Sequence, residues 1–168
     1  MRVGIERLGV TVRAPTGRDG EISIRPAQRA DLLAIVSIEK QSFPQPWPYD
    51  AFETFLEEPA FLVAECNGAV AGYVVADVTQ TVGRRLGHVK DIAVHPDRRG
   101  EGVGSALLSR SLSVLAAYGA DTVKLEVRRS NERAKRLYRE FGFDSLRLVP
   151  GYYQDDEDAI VMIRQLNS

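Results

Sequence analysis

Residues 98–104 read Arg-Arg-Gly-Glu-Gly-Val-Gly and stand between a strand-like run ending at His95-Pro96 and a long amphipathic stretch. A glycine-rich turn that opens a helix makes a site for a pyrophosphate. Glycine lets the backbone come close, the first N–H groups of the helix have no internal partner, and the helix dipole favours negative charge there. The spacing is Arg99-x-x-Gly102-x-Gly104. It is not the dinucleotide pattern G-x-G-x-x-G, and it lacks the Gly-Lys-Ser/Thr ending of a P-loop. The alternative for the segment alone is a flexible strand-to-helix turn, and other segments downstream bear on the choice.

Downstream, Val123-Lys-Leu-Glu-Val-Arg128 alternates, with Lys124, Glu126 and Arg128 on one face. A charged strand face is commonly solvated and ion-paired. Here helices on either side should cover the strand, so the charged face marks a wet cleft and Glu126 becomes a candidate general base, directly or through water. Tyr138 falls on the apolar face of the next helix, where a tyrosine is by default a core residue. A buried ring still seeks a polar partner for its hydroxyl, and at the cleft that hydroxyl would be a general acid. Asn131 is explained as a helix cap, and it could also hydrogen-bond an amide-bearing ligand. His95, before Pro96, reads as a strand end. His88 reads as an ordinary strand residue, with a second base as the alternative. The run Asp155-Asp-Glu-Asp158 lacks calcium-loop spacing. It reads as an acidic turn that would attract an ammonium group if it lay beside a pocket.

The elements that must position these residues follow from periodicity. Residues 1–21 show no sustained period and read as an extension, mobile overall, with a short strand near Val10–Val12 as the alternative. Residues 22–26 alternate as a strand, and residues 28–42 carry Leu32, Ile35, Val36 and Ile38 at helical spacing. Three prolines in residues 43–48 impose a rigid extended loop. A short helix over 49–57 follows. Strands at 60–65 and 69–78 flank Asn67-Gly68, a hairpin turn signal. Another strand is expected at 87–94, a helix at 102–118 capped by Gly119, and a strand at 122–128. A helix from the Asn131 cap to Gly142 and two closing strands, 143–149 and 159–164, complete the pattern. The order predicts an α/β fold with a mixed central sheet of about seven strands and helices on both faces. Its two strand–helix–strand crossovers near the middle are expected to be parallel and right-handed.

With 168 residues the chain is one domain of ordinary size, and its net charge of −1 argues against non-specific nucleic-acid binding. One cysteine, Cys66, excludes an internal disulfide and fits a reducing, cytoplasmic setting. It lies in an apolar run and reads as a buried thiol. Two histidines and one cysteine cannot build a closed zinc site of the usual kind, so no metal is expected. No run approaches the ~18 apolar residues of a membrane span.

Taken together, these segments resemble the GNAT superfamily of N-acetyltransferases. Arg99-x-x-Gly102-x-Gly104 is similar to that superfamily's acyl-CoA signature R/Q-x-x-G-x-G/A, within the longer run from His88 to Ser105. Leu125-Glu-Val-Arg with Ser130-Asn131, then Leu137-Tyr138 and Phe141-Gly142-Phe143, resembles the RimI-type and archaeal N-terminal protein acetyltransferases. So do Gly151-Tyr-Tyr153 and Glu157-Asp158-Ala159 with Met162. The likeness covers about residues 22–166, and the domain is taken as 22–168.

The resemblance implies acetyl-CoA as cosubstrate. Backbone groups of Ile92, Ala93 and Val94 would pair with the pantetheine arm. Arg99, Gly100, Glu101, Gly102, Val103, Gly104 and Ser105 would hold the pyrophosphate, and Asn131 would contact the cofactor. Glu126 would be the base and Tyr138 the acid that protonates the leaving thiolate. Phe43, Trp47 and Tyr49 in the first loop, with Tyr152 and Tyr153, would grip a protein or peptide N-terminus, a ribosomal protein among the targets. The working unit would be a monomer or weak homodimer that binds neither nucleic acid nor membrane. Some archaeal members carry an acidic residue in the first loop where this chain has Gln45. Two alternatives remain: a GNAT enzyme for a small-molecule amine, and a non-catalytic acyl-CoA-binding module.

Overall fold

The structure, a computed structural model, describes residues 10–13 and 21–166. Eight strands form one sheet: β1 (Val10–Arg13), β2 (Glu21–Pro26), β3 (Ala60–Cys66), β4 (Ala69–Thr81), β5 (Arg84–Val94), β6 (Thr122–Arg128), β7 (Asp144–Val149) and β8 (Ala159–Gln165). The helices are α1 (Leu32–Ser42), α2 (Tyr49–Thr54), α3 (Val103–Ala117) and α4 (Glu132–Glu140). The strands lie in the order β1-β2-β3-β4-β5-β6-β8-β7. The short strand weighed for Val10–Val12 is present as β1, paired antiparallel with β2. The rest of the expectation for the extension, over residues 1–9 and 14–20, lies outside the described residues.

Two cores sandwich the sheet. On one face Leu107, Leu108 and Leu115 of α3, with Tyr138 of α4, pack on Ile24, Leu62, Val74 and Leu125. On the other, Leu32, Ile35 and Ile38 of α1 and Phe52 of α2 pack on Phe61, Val63, Tyr73 and Val75. β3 alternates between the cores, and covering both of its faces is why residues 60–66 read as an almost unbroken apolar run. Cys66 is buried in it, as expected. Each fully buried aliphatic side chain contributes about 1.5–3 kcal/mol relative to exposure. One contact is set by a missing side chain. A Cβ on Gly72 would stand 2.8 Å from the Ala93 carbonyl oxygen and 3.1 Å from Leu107 and Val103, so glycine lets α3 lie close on β4.

Of the two expected crossovers, β5–α3–β6 joins adjacent parallel strands. In the second, β6–α4–β7, the strands run parallel as expected but are not adjacent: β8 inserts between them, antiparallel to both, so the strand after α4 takes the sheet edge. β8 carries the buried Ala159, Val161 and Met162 and suits an interior position, whereas β7 is mostly exposed and suits an edge.

Candidate active site

The site begins where the sheet comes apart. β5 and β6 pair in parallel from Leu86↔Thr122 to Val89↔Leu125. At the next residue β5 bulges: Ala76 of β4 faces Val89, Val75 faces Asp91, and Lys90 is extra. A bulge bends its strand, and beyond it the neighbours part. β5 continues along β4 to Val94 while β6 continues along β8 to Arg128. A cleft of about 1030 Å³ opens between them. Ile92, Ala93 and Val94 line it with a strand edge that, among the described residues, has no strand partner on that side, an arrangement that accepts an added extended chain.

The N-terminus of α3 closes one end. Gly100 and Gly102 have φ of 81° and 84°, the left-handed region that favours glycine. A Cβ on either would meet nothing within 4 Å, so both turn toward open space. Gly102 caps α3 without a side-chain hydrogen bond, and Val103, Gly104 and Ser105 of the first turn line the cleft. Arg99 donates from Nε to the Val94 carbonyl at 3.3 Å and from Nη2 to Ser42 Oγ at 3.3 Å, tying the turn to β5 and the end of α1. Uncapped N–H groups, arginine and a strand edge suit a phosphate-bearing ligand with an extended, amide-containing arm. Glu101 stands outside the lining and pairs with Arg98 at 3.4 Å.

Glu126 lies in the cleft with its side chain 14% exposed. Its Oε2 is 2.6 Å from His88 Nε2 and its Oε1 is 3.4 Å from Lys124 Nζ. Burial works against ionisation of Glu126. The His88 hydrogen bond and the charges of His88 and Lys124 outweigh it and hold the carboxyl below the usual glutamate range. Tyr138 is a core residue that also borders the cleft. Its ring is 5% exposed, in edge contact with Phe143 at 6.0 Å between centroids, and the residue also lines the cleft. Burial first, then the charge of Asp91, pushes its hydroxyl pKa up and keeps the proton on oxygen. Asn131 caps α4 by accepting from Ala134 N at 3.1 Å and also borders the cleft.

Two loops form the remaining walls. The 43–48 loop brings Phe43 and Trp47, with Trp47 set against Phe52 and Phe55 at 5.3 and 5.8 Å between centroids. Tyr49 begins α2 and falls outside the lining. Tyr152 and Tyr153, edge to face at 5.0 Å, come from the β7–β8 loop. Burial pushes the Tyr153 hydroxyl up to about 12 against the opposing Arg128 charge. The acidic run serves this loop. Arg128 pairs with Asp155 at 2.8 Å and Glu157 at 3.0 Å and lies 4.1 Å from the Tyr153 ring centre. Asp158 accepts from Gly151 N at 3.0 Å and pairs with Arg129 at 3.3 Å.

Sixteen of the eighteen residues marked from the sequence therefore meet around one cleft, Glu101 and Tyr49 being the exceptions. The sequence reading undervalued His88. Alternation puts it on the polar face of β5, but its pairing with Glu126 needs the β5–β6 register. It missed Arg128 as the link between loops, and it missed Glu39 and Asp91, which reach the cleft from α1 and β5.

The sequence profile of the acetyltransferase (GNAT) family matches residues 32–143, well over half of the chain. An N-alpha-acetyltransferase of Sulfurisphaera tokodaii is 36% identical over 157 residues, covering 87% of this chain and 94% of the relative. Among solved structures, Ard1 of Thermoplasma volcanium superposes with a TM-score of 0.81 at 28% identity, over 88% of this chain and 99% of that one. The ribosomal-protein-S18-alanine N-acetyltransferase of Escherichia coli gives 0.76 at 30%, over 88% and 95%. With the split sheet, the uncapped α3 turn and these likenesses in hand, the chain belongs to the acetyltransferase (GNAT) family and is an acyltransferase.

Proposed function

We propose that this enzyme acetylates the α-amino group of protein N-termini with acetyl-CoA, through Glu126 as base and Tyr138 as acid. The observation that carries the reading is the cleft itself. An ionised, histidine-paired carboxylate and a protonated tyrosine both line it, between a phosphate-type turn and two aromatic loops. Acetyl-CoA supplies an activated thioester. The uncapped N–H groups of Val103, Gly104 and Ser105 and the Arg99 turn hold its pyrophosphate, and the edge of Ile92, Ala93 and Val94 holds its pantetheine amides. Glu126 takes the proton from the attacking nitrogen, and Tyr138 gives its proton to the departing sulfur. Proton exchange with water then resets both residues.

An α-amine has a pKa near ~8, against ~10.4 for lysine, so roughly a tenth of it is already neutral near pH 7. A carboxylate base suffices for that amine, whereas lysine would demand over ~2 units more. Orientation of the reactants supplies much of the remaining rate. The aromatic walls of Phe43, Trp47, Tyr152 and Tyr153 suit a peptide chain better than a compact amine. Ribosomal proteins are among the substrates this reading allows, in a cytoplasmic setting. Peptides beginning with Ala or Ser and carrying an internal lysine, incubated with acetyl-CoA, should be labelled at the N-terminus by mass spectrometry. Labelling of lysine alone, or of polyamines in preference to either, would overturn the assignment.

A further inference from the structure

The cleft has an acidic group on its inner side that the proposed chemistry does not use. Glu39, on α1, is 2% exposed. A buried carboxylate is costly unless fully hydrogen-bonded, and this one is served from three elements. Its Oε1 accepts from the Trp47 backbone N–H at 3.1 Å. Its Oε2 accepts from the Tyr73 hydroxyl of β4, a residue with no exposed surface. The Asp91 side chain of β5 hydrogen-bonds it as well, and the Tyr73 hydroxyl lies 3.5 Å from Asp91 Oδ2. Burial, then the hydrogen bond and charge of Glu39, pushes the Asp91 carboxyl well above the usual range. Like charges this close share a proton rather than both ionise.

Only one of these partners belongs to a loop. The 43–48 segment has no helical or strand ladder, and three of its six residues are prolines that offer no N–H. The Trp47 N–H is thus one of few backbone donors with which the loop can be fixed. Its acceptor is a side chain already locked against β4 by Tyr73 and against β5 by Asp91, the residue that precedes Ile92 on the proposed cofactor edge.

We propose that Glu39 is a positioning residue for substrate recognition: its buried carboxylate, held by Tyr73 and Asp91, fixes the 43–48 loop through the Trp47 N–H and so sets the aromatic wall that meets the substrate's first residues. This rests on the N-terminal acetyltransferase reading for its substrate, but not for its structural content. With the anchor gone, the loop samples open states, and peptide binding must close it each time. The cost falls on peptide affinity, while the α3 turn and the β5 edge keep their affinity for the cosubstrate.

The test uses Trp47, the chain's single tryptophan, as its own reporter. In Glu39→Ala, Trp47 emission should shift to the red and acrylamide quenching should rise, with circular dichroism unchanged. KM for an Ala-initiated peptide should rise by roughly tenfold, as expected when a buried donor loses its acceptor, with acetyl-CoA affinity held. Glu39→Gln keeps an acceptor oxygen for Trp47 and a donor for Asp91, and should restore emission and KM. Tyr73→Phe, which removes one support of Glu39, should give a smaller red shift and covers the case in which the alanine variant does not fold. Unchanged Trp47 emission in Glu39→Ala or in Tyr73→Phe would overturn the proposal. So would a parallel loss of peptide and acetyl-CoA binding in a folded variant. If the wild type acetylates no peptide N-terminus, the functional reading fails by itself, and the emission data still decide the anchor.

Discussion

Glu126 and Tyr138 make separable demands on the pH and rate behaviour of the protein. Glu126→Gln keeps the shape and removes the carboxylate proposed as base, so kcat should fall by ~10² or more, the usual worth of general-base help. The loss should shrink at high pH, where the amine is already neutral, and a loss independent of pH would point to a structural role. Tyr138→Phe should lower kcat while leaving acetyl-CoA affinity nearly unchanged. A melting temperature that falls with turnover intact would return Tyr138 to the core alone. His88 offers a third measurement. Because its hydrogen bond and charge help hold the Glu126 carboxyl below its ordinary value, the stability it lends is present above the unfolded-state pKa and is lost as pH falls through the folded one. The melting temperatures of wild type and His88→Asn should therefore differ at neutral pH and converge in acid. A constant difference would mean that the pair is only packing. None of this could be read from His88 in sequence, because a parallel register between strands separated by a whole helix decides what it touches.

Elements were legible where their causes are local. The α3 start was visible because glycines and arginines sit together at the end of an alternating run, and α4 because Asn131 caps it at the expected place. The bulge at Lys90 and the insertion of β8 between β6 and β7 were not, since both depend on partners far along the chain. The cleft exists because of that bulge, so sequence showed which residues could meet but not the opening in which they do. The two helix-side glycines provide a contrast at this scale. Gly104→Ala places a Cβ in ordinary contact with Leu137 and Val94, at 3.5 and 3.6 Å, and should be tolerated. Gly72→Ala drives a Cβ into the Ala93 carbonyl and α3, and should cost about 1–3 kcal/mol, as overpacking does. Equal melting temperatures for the two variants would show that α3 can move off the sheet freely. Gly102→Glu adds bulk and charge in the open turn and should abolish acetyl-CoA binding by calorimetry with the fold intact.

At the scale of the whole molecule, the halves of the sheet part beyond Val89 and Leu125, and the loops proposed to meet the substrate are rooted on different halves. The 43–48 loop hangs from α1 over β5, while Tyr152 and Tyr153 hang from the β7–β8 loop over β6. Arg128 stands between them. It pairs with Asp155 and Glu157, lies over the Tyr153 ring, and extends Nη2 toward Gln45 Oε1 at 3.5 Å. Its side chain is 13% exposed, so these contacts are less screened than surface pairs. Arg128→Met keeps the stem but removes every charged contact, and the tyrosine loop should then lose its fixed position. If the competent arrangement drops to about a tenth of the population, peptide KM rises about tenfold. Acetyl-CoA affinity should hold, because the ion pairs, hydrogen bonds and ring contact described for Arg128 run to the two loops. Hydrogen exchange should quicken over residues 150–158 and stay slow in β6 and β8. A fall in kcat at unchanged KM would instead mean that Arg128 acts on Glu126, two residues away on the same strand face, and the link between the loops would have to be sought elsewhere.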